Sequence, residues 1–260
     1  MKKNNLIILI IFLFTLSCSS FKENTLEKSM QERFDYAILL LEDDKYEKAK
    51  NQLQIIIEND KGSSISLESY FLIGEAFYNL KNYDEAIYHY NYFSTFTNDI
   101  DKVEKAQFMK SKCNYDLSLN YKNDQTQTLL AISSIQEFLD NFPNSSFSNE
   151  SKIMINELRN KLAKKFYENG RLYLKIKKYE SAMFYFNIVI NDYYDTKYSD
   201  ESKISIIFAH ILSGSIDNAK KYFLDIKDSF DSQMKYDEAS SILKDYNDGI
   251  GIKGYYRLYK

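Results

Sequence analysis

The chain has 260 residues, 44% hydrophobic, 27% charged and 16% aromatic, with one Pro, seven Gly, two Cys and no Trp. So few turn residues exclude an all-β sandwich or barrel, and two Cys cannot staple a disulfide scaffold. A formal charge of −3, from 34 Lys and Arg against 37 Asp and Glu, leaves no basic excess for phosphates, so no nucleic acid partner is expected.

The N-terminus reads as a signal peptide over residues 1–17. Lys2 and Lys3 precede an apolar run from Leu6 to Leu16, shorter than the about 20 residues that a spanning helix needs. The run ends in Thr15-Leu16-Ser17-Cys18, which resembles the lipobox of bacterial lipoproteins, with Thr15 where that pattern usually has Leu. The resemblance implies acylation of Cys18, which then becomes the mature N-terminus. Two or three acyl chains hold a protein stably on a membrane, since each buried CH₂ contributes about 0.8 kcal/mol. Ordinary cleavage leaving a free Cys18 is the alternative, and an exposed thiol in an export compartment is a liability. Removal of Lys2 and Lys3 takes the charge from −3 to −5. Residues 18–23 form a lipid-anchored linker, and Asn24 with Glu27 offers a capping box for the first helix.

From Asn24 onward one pattern recurs. Tyr70-x2-Ile73-Gly74-x2-Phe77, Tyr83 and Ala86-x3-Tyr90-x2-Phe93 return, at the same internal spacing, as Phe166-x2-Asn169-Gly170-x2-Tyr173, Tyr179 and Ala182-x3-Phe186-x2-Val189. Weaker copies begin at Tyr36-Ala37-x2-Leu40, with Ala49-x3-Leu53, and at Ile206-Ile207-x2-His210, with Ala219-x3-Phe223. A further copy centres on Ala131-x3-Ile135-x2-Phe138-x4-Pro143. Small residues let the two helices of a hairpin approach, and aromatics fill the space between hairpins. The pattern resembles the tetratricopeptide repeat. The expectation is an all-α tetratricopeptide-repeat solenoid of five helix–turn–helix repeats plus a final helix, over residues 24–247.

The intervals between second-helix Ala residues are 37 (49 to 86), 45 (86 to 131), 51 (131 to 182) and 37 (182 to 219), all longer than the minimal repeat of about 34. The third repeat places its first helix near Phe108–Tyr115 and inserts Leu119–Thr128 before its second. The fourth has an extended first helix, from about Ser148 to Ile176, and the final helix spans about Lys235 to Asn247. Residues 248–260 form a Gly/Tyr-containing tail. There Gly249-x-Gly251-x2-Gly254 matches a dinucleotide fingerprint only by letters, having no preceding strand and no following helix.

The stretched middle carries a second resemblance. Asp124-Gln125-Thr126-Gln127-Thr128, Gln136-Glu137-Phe138-Leu139 and Phe142-Pro143-Asn144-Ser145 precede Glu157-Leu158-Arg159-x-Lys161-Leu162-Ala163-x-Lys165 and Asp192-Tyr193-Tyr194-Asp195-Thr196-Lys197-Tyr198. Together with the lipobox and the repeat number, these are similar to the BamD family, tetratricopeptide lipoproteins of the outer-membrane β-barrel assembly machinery. Tyr194 departs from the family's usual Pro. The resemblance implies an outer-membrane lipid anchor with the body facing the periplasm, and no cofactor. It implies two partners, a BamA-like β-barrel protein held by the C-terminal repeats and unfolded outer-membrane proteins received by the N-terminal repeats. A general periplasmic adaptor lipoprotein for cell-wall or pilus assembly is the alternative.

No catalytic constellation is visible, and the chain does not read as an enzyme. His89 and His210 lack metal-ligand partners at helical spacing, so His210 is expected as core filler and His89 as solvated. Cys113 reads as a small buried apolar residue. What remains is binding. First helices of such a solenoid line a groove, where the first repeat places Phe34, Ile38 and Leu41 and the second places Phe71, Glu75 and Tyr78. Five of those six are apolar or aromatic, which marks a partner site unless the N-terminal segment folds back over it. The fourth repeat places Tyr167, Arg171 and Leu174 there, beside a turn carrying Lys175, Lys177 and Lys178. That turn is either a solvated helix end or a docking point for the barrel protein.

Overall fold

The structure is a computed structural model describing residues 29–249, 254 and 255. The expected signal peptide, Cys18, Asn24 and Glu27 lie outside these residues, as does most of the tail. Eleven α-helices follow one another among the described residues: α1 (Met30–Glu42), α2 (Tyr46–Asn59), α3 (Ser64–Asn79), α4 (Tyr83–Phe96), α5 (Ile100–Leu117), α6 (Thr126–Asn141), α7 (Ser148–Lys175), α8 (Tyr179–Asp192), α9 (Tyr198–Leu212), α10 (Ile216–Ile226) and α11 (Gln233–Asn247). A 3₁₀ turn, Lys227–Ser229, links the last two. They form five antiparallel hairpins closed by α11.

The capping box of α1 is at Ser29 and Glu32. The Ser29 hydroxyl accepts from the Glu32 N–H at 3.2 Å, and the Glu32 carboxylate accepts from the Ser29 N–H at 2.8 Å. It sits five residues beyond the Asn24–Glu27 pair, which carries the same local signature.

Four hairpins turn in the same way. The second residue after the helix end is left-handed at Asp44 (φ 58°), Lys81 (61°), Lys177 (61°) and Gly214 (81°). The next N–H then donates back into the helix, Lys45 to Leu40, Asn82 to Phe77, Lys178 to Tyr173 and Ser215 to His210, at 2.8–2.9 Å. This Schellman closure satisfies carbonyls that a helix end leaves unpaired. It also fixes the register, because 12 residues separate positions 37 and 49, 74 and 86, 170 and 182, and 207 and 219. The third hairpin spans 20, from Ser111 to Ala131. Its extra length is the loop 118–125, organised around buried Gln125. The Gln125 amide donates to the carbonyls of Asn120 and Asn123, both at 3.0 Å, and its oxygen accepts from the Thr128 hydroxyl at 2.9 Å.

The other departure lies between hairpins. Twenty-five residues separate 49 from 74, 86 from 111 and 182 from 207, but 39 separate 131 from 170. The additional 14 residues extend α7, which is 28 residues long. Its N-terminal part sends Met154 and Leu158 into the third core, around Phe108, Ala131, Ile135 and Phe138. Its C-terminal part sends Ala163, Tyr167 and Leu174 into the fourth, around Ala182, Phe186 and Val189. The α7 extension also holds the inserted loop, since Lys161 donates to the Ser118 carbonyl at 3.0 Å and Lys165 to that of Asn123 at 2.7 Å. The two irregularities of the repeat are one structural device.

Within hairpins the expected small positions are where helices touch. A Cβ on Gly74 would lie 2.8–3.1 Å from the Tyr90 ring, and one on Gly170 would lie 2.5–2.8 Å from the Phe186 ring. Both rings are fully buried, and burial of a large apolar side chain contributes about 1.5–3 kcal/mol. At the C-terminal end Ala239, Ile242 and Leu243 of α11 cover Ile204, Phe208 and Ile211 of α9. A buried ion pair, Lys203 to Asp200 at 2.9 Å, ties down the entry to α11. The Asp200 carboxylate accepts from the Asp231 and Ser232 N–H groups at 3.1 and 3.0 Å, and Lys203 donates to the Ser229 carbonyl. Among the described residues no helix is long and apolar enough to cross a membrane.

Candidate functional site

The first helices α1, α3, α5, α7 and α9 present equivalent triplets along one line. Neighbouring members of this line are joined by polar contacts in its middle. Lys102 of α5 pairs with Glu68 of α3, Lys105 lies 3.4 Å from Glu75, and the Tyr78 hydroxyl donates to Asp116 at 2.8 Å. From α5 to α7, Lys112 pairs with Glu150 at 3.0 Å and the Tyr115 hydroxyl donates to Glu157. Burial and the acceptor carboxylate push the Tyr115 phenol up to about 12 and raise that of Tyr78 as well, so both stay protonated donors. Each partner lies about one repeat further along the chain, with separations of 30 to 42 residues. Charge at that spacing is the sequence signal that would have found them.

The expected groove residues therefore differ in what they expose. Phe34, Ile38 and Leu41 are half-buried on α1, with Phe34 resting against the first core and Leu39 beside them 57% exposed. Phe71 is 7% exposed, packed 5.3 Å from Tyr90 and 5.2 Å from Phe93 with the Lys105 ammonium over its outer face. Glu75 and Tyr78 are half-buried and engaged as described. In the fourth repeat Tyr167 and Leu174 are buried, and Arg171 pairs with Glu168 at 3.1 Å. The apolar character still open along the line is thus concentrated at α1, since α11 covers the equivalent stripe on α9.

The turn after α7 presents Lys175, Ile176, Lys177 and Lys178, all exposed. Among the described residues none of the three ammonium groups forms an ion pair. Lys177 and Lys178 border a cleft of about 470 Å³ shared with His210, Ser213 and Asn218. On the opposite edge Arg159 clamps the turn after α8, with Nε and Nη2 donating to Asp195 at 3.0 and 2.6 Å and Nη2 to the Asp192 carbonyl at 2.9 Å. This forked contact holds the Asp195 carboxyl below its ordinary pKa.

The residues with possible reactivity are placed as packing groups. Cys113 is fully buried, and burial pushes its thiol up to about 12, which keeps it protonated. His89, expected in solvent, is 8% exposed and ring-packed by Phe77 at 5.4 Å and Tyr70 at 5.7 Å, with burial lowering its pKa to about 4. His210, expected as core filler, is only half-buried beside Tyr222. Among the described residues no group of three or more His, Cys, Asp and Glu could hold a metal ion.

Comparison with known proteins identifies the same stretch of chain. The YfiO family, described as outer membrane lipoprotein, matches residues 26–223. The chain is 26% identical over 240 residues to "Outer membrane protein assembly factor BamD" of Rickettsia prowazekii, covering 92% of this chain and 96% of the relative. It is 24% identical over 183 residues to the protein of the same name from Caulobacter vibrioides, covering 70% and 60%. The crystal structure of MamA protein aligns with 80% of this chain and 94% of its own at 15% identity, with a TM-score of 0.33, too low to bear on the fold. With more than half its length inside the family match, the chain belongs to the YfiO/BamD family of outer-membrane lipoproteins.

Proposed function

We propose that this protein is a non-catalytic component of an outer-membrane β-barrel assembly machinery, anchored through acylated Cys18 with its solenoid in the periplasm. The observation that carries the reading is the match to a named assembly factor over nearly the full length of both chains. In this reading repeats four and five dock a BamA-like barrel protein at the turn of Lys175, Lys177 and Lys178, and the α1 end of the groove receives unfolded outer-membrane proteins. The unpaired lysines of that turn suit a charged rim contact, which tunes association rate more than total affinity. The half-buried Phe34, Ile38 and Leu41 suit an apolar segment. Glu75, Tyr78 and the largely covered Phe71 support the groove wall.

The test is a pull-down from detergent-solubilised outer membranes. Lys175→Glu, Lys177→Glu and Lys178→Glu together should reduce recovery of the barrel protein, and more so at low salt, where charges are least screened. Ile38→Ser with Leu41→Ser should keep the barrel protein and lose crosslinks to nascent barrel chains. Recovery of a cell-wall or pilus component in place of a barrel protein would overturn the reading in favour of a general adaptor.

A further inference from the structure

First helices seat on the second helix before them through one recurring stripe. On α3 it is Ser66, Ser69, Ile73 and Ala76, and on α9 it is Ser199, Ser202, Ile206 and Ala209, all buried. Ile206 and Ala209 there enter the core of α7 and α8. On α7 the stripe is Ser148, Ser151, Ile155 and Leu158, and it meets α6 in the third core. Fourteen residues further on, level with α8, the same positions recur as Leu162, Lys165, Asn169 and Leu172. Among the described residues, α6 sends none into the core of α7 and α8, so this second stripe has no second helix seated on it. The inserted loop shields its near half, where Leu162 is buried and Lys165 donates to the Asn123 carbonyl at 2.7 Å. The far half is bare. Leu172 is 56% exposed, where Ala76, Cys113 and Ala209 at the same position are fully buried, and Ile176 beyond it is 54% exposed. Leu39 of α1, which has no hairpin before it, is 57% exposed at that position too. Small residues stand where a second helix is seated, and Leu where the seat is open. The charge is also local. Residues 161–178 hold seven Lys and Arg against one Glu, on a chain of net charge −3, and that Glu168 pairs with Arg171. Four of the seven precede the last turn of α7, beyond the reach of the helix C-terminal dipole.

We propose that the open seat on α7, from Lys165 to the turn at Lys178, receives one amphipathic α-helix of a partner protein, with acidic residues along its flanks. The occupant is a helix because the same stripe takes α2 on α3, α4 on α5 and α8 on α9. Those helices share one core spacing, in Ala49-x3-Leu53-x2-Ile56, Ala86-x3-Tyr90-x2-Phe93 and Ala182-x3-Phe186-x2-Val189, and all nine residues are buried. A partner helix with that spacing reproduces within α7 a contact the chain already makes three times, by helix-in-groove recognition. The seat from Lys165 to Ile176 is 11 residues long, about 16 Å or roughly three helical turns. Its basic surroundings set the sign of the partner's flanks. The inference stands on the repeat register and does not depend on the assembly reading.

The test uses the full mature chain and fluorescence anisotropy with a set of labelled, side-chain-stapled helical peptides. Each carries the Ala-x3-apolar-x2-apolar core with Glu on both flanks. Comparison peptides scramble the core spacing at fixed composition, or replace Glu by Lys. Members of the acidic amphipathic set should bind, and both comparison sets should bind at least tenfold more weakly, or 1.4 kcal/mol. Leu172→Glu with Ile176→Glu should cause a similar loss with an unchanged circular dichroism spectrum. Leu39→Glu should leave binding unchanged, because the open seat on α1 is flanked by Glu32, Asp35 and Glu42. The proposal is overturned if no acidic amphipathic peptide binds, if scrambled or Lys-flanked peptides bind equally, or if Leu39→Glu abolishes binding. Two further results would also sink it, by giving the seat another occupant. One is a tenfold gain in peptide affinity on deleting residues 250–260, which would mean that the chain's own tail fills it. The other is self-association in analytical ultracentrifugation that Leu172→Glu abolishes, which would mean that a second copy does.

Discussion

Replacing Gly170 by Ala tests the repeat register at its tightest point. On an exposed helix face this change stabilises by about 0.8–1.0 kcal/mol, because Ala loses less backbone entropy than Gly. Here the new Cβ would meet three atoms of one Phe186 ring, at 2.5, 2.7 and 2.8 Å. Phe186 is fully buried against Ala163, Tyr167 and Val189, so the ring cannot swing aside without opening the fourth core. Overpacking of this kind costs about 1–3 kcal/mol, and three simultaneous contacts place it near the top of that range. The net loss is about 2 kcal/mol, or a fall in melting temperature of roughly 4–8 °C for a chain of this size. Thermal unfolding followed by circular dichroism at 222 nm reads it directly. Phe186→Leu removes ring atoms from the contact, so the double variant should lose less than the sum of the two singles. Gly74→Ala, whose contacts with Tyr90 are 2.8–3.1 Å, should cost less than Gly170→Ala. A higher melting temperature for Gly170→Ala would mean that the helix is open at this position, and the register argument fails.

Gly214 has φ +81° with nothing within 4 Å of where an added methyl group would sit, so Gly214→Ala should lose about 1 kcal/mol through backbone conformation alone, and Gly214→Asn less. His89 has its pKa lowered to about 4 from an ordinary 6.5, so its neutral form stabilises the fold fully above pH 6.5. That contribution should fall by on the order of 2–3 kcal/mol as pH drops toward 4, because the unfolded chain takes the proton first. His89→Phe should flatten the decline in denaturant midpoint over the same range. Cys18→Ser should release the protein from washed membranes, and quantitative retention in the membrane fraction would refute the lipid anchor.

The hairpins were legible because each one depends on local spacing. Gly74 and Gly170 announce a close approach, Tyr90 and Phe186 follow at fixed intervals, and the lone Pro143 leaves α7 free to run on. Other features were hidden for identifiable reasons. Asn24-x2-Glu27 and Ser29-x2-Glu32 carry the same capping signature, and nothing local chooses between them. His89 looks like a surface position on α4 until Tyr70 and Phe77 of α3 close over it. The Lys203–Asp200 pair looks like an exposed i,i+3 contact, and only the return of the chain at Ser229–Ser232 buries it. Phe71 falls at a groove position by count, but its neighbours Phe93 and Lys105 occupy the space around it. Tyr121 and Tyr198 stand 77 residues apart in the chain, from 121 to 198, and border one surface depression only because α7 spans the interval.

The length of α7 sets an angle as well as a distance. At about 100° per residue, its 14 additional residues make about 3.9 turns. Counted at about 100° per residue, Met154 with Leu158 and Tyr167 with Leu174 fall on nearly opposite faces of the helix, roughly 170° apart, so its two parts serve two cores from two sides. The helix works as a phased axle whose two ends are clocked to one another by residue count. One residue added between Leu158 and Ala163 would rotate the later hairpins by about 100° against the earlier ones, while seven would turn them by only about 20°. Viable changes of length at this joint should be those close to whole numbers of turns, such as about 7, 11 or 18 residues, so the orientation of the two ends is quantised by the pitch of a single helix.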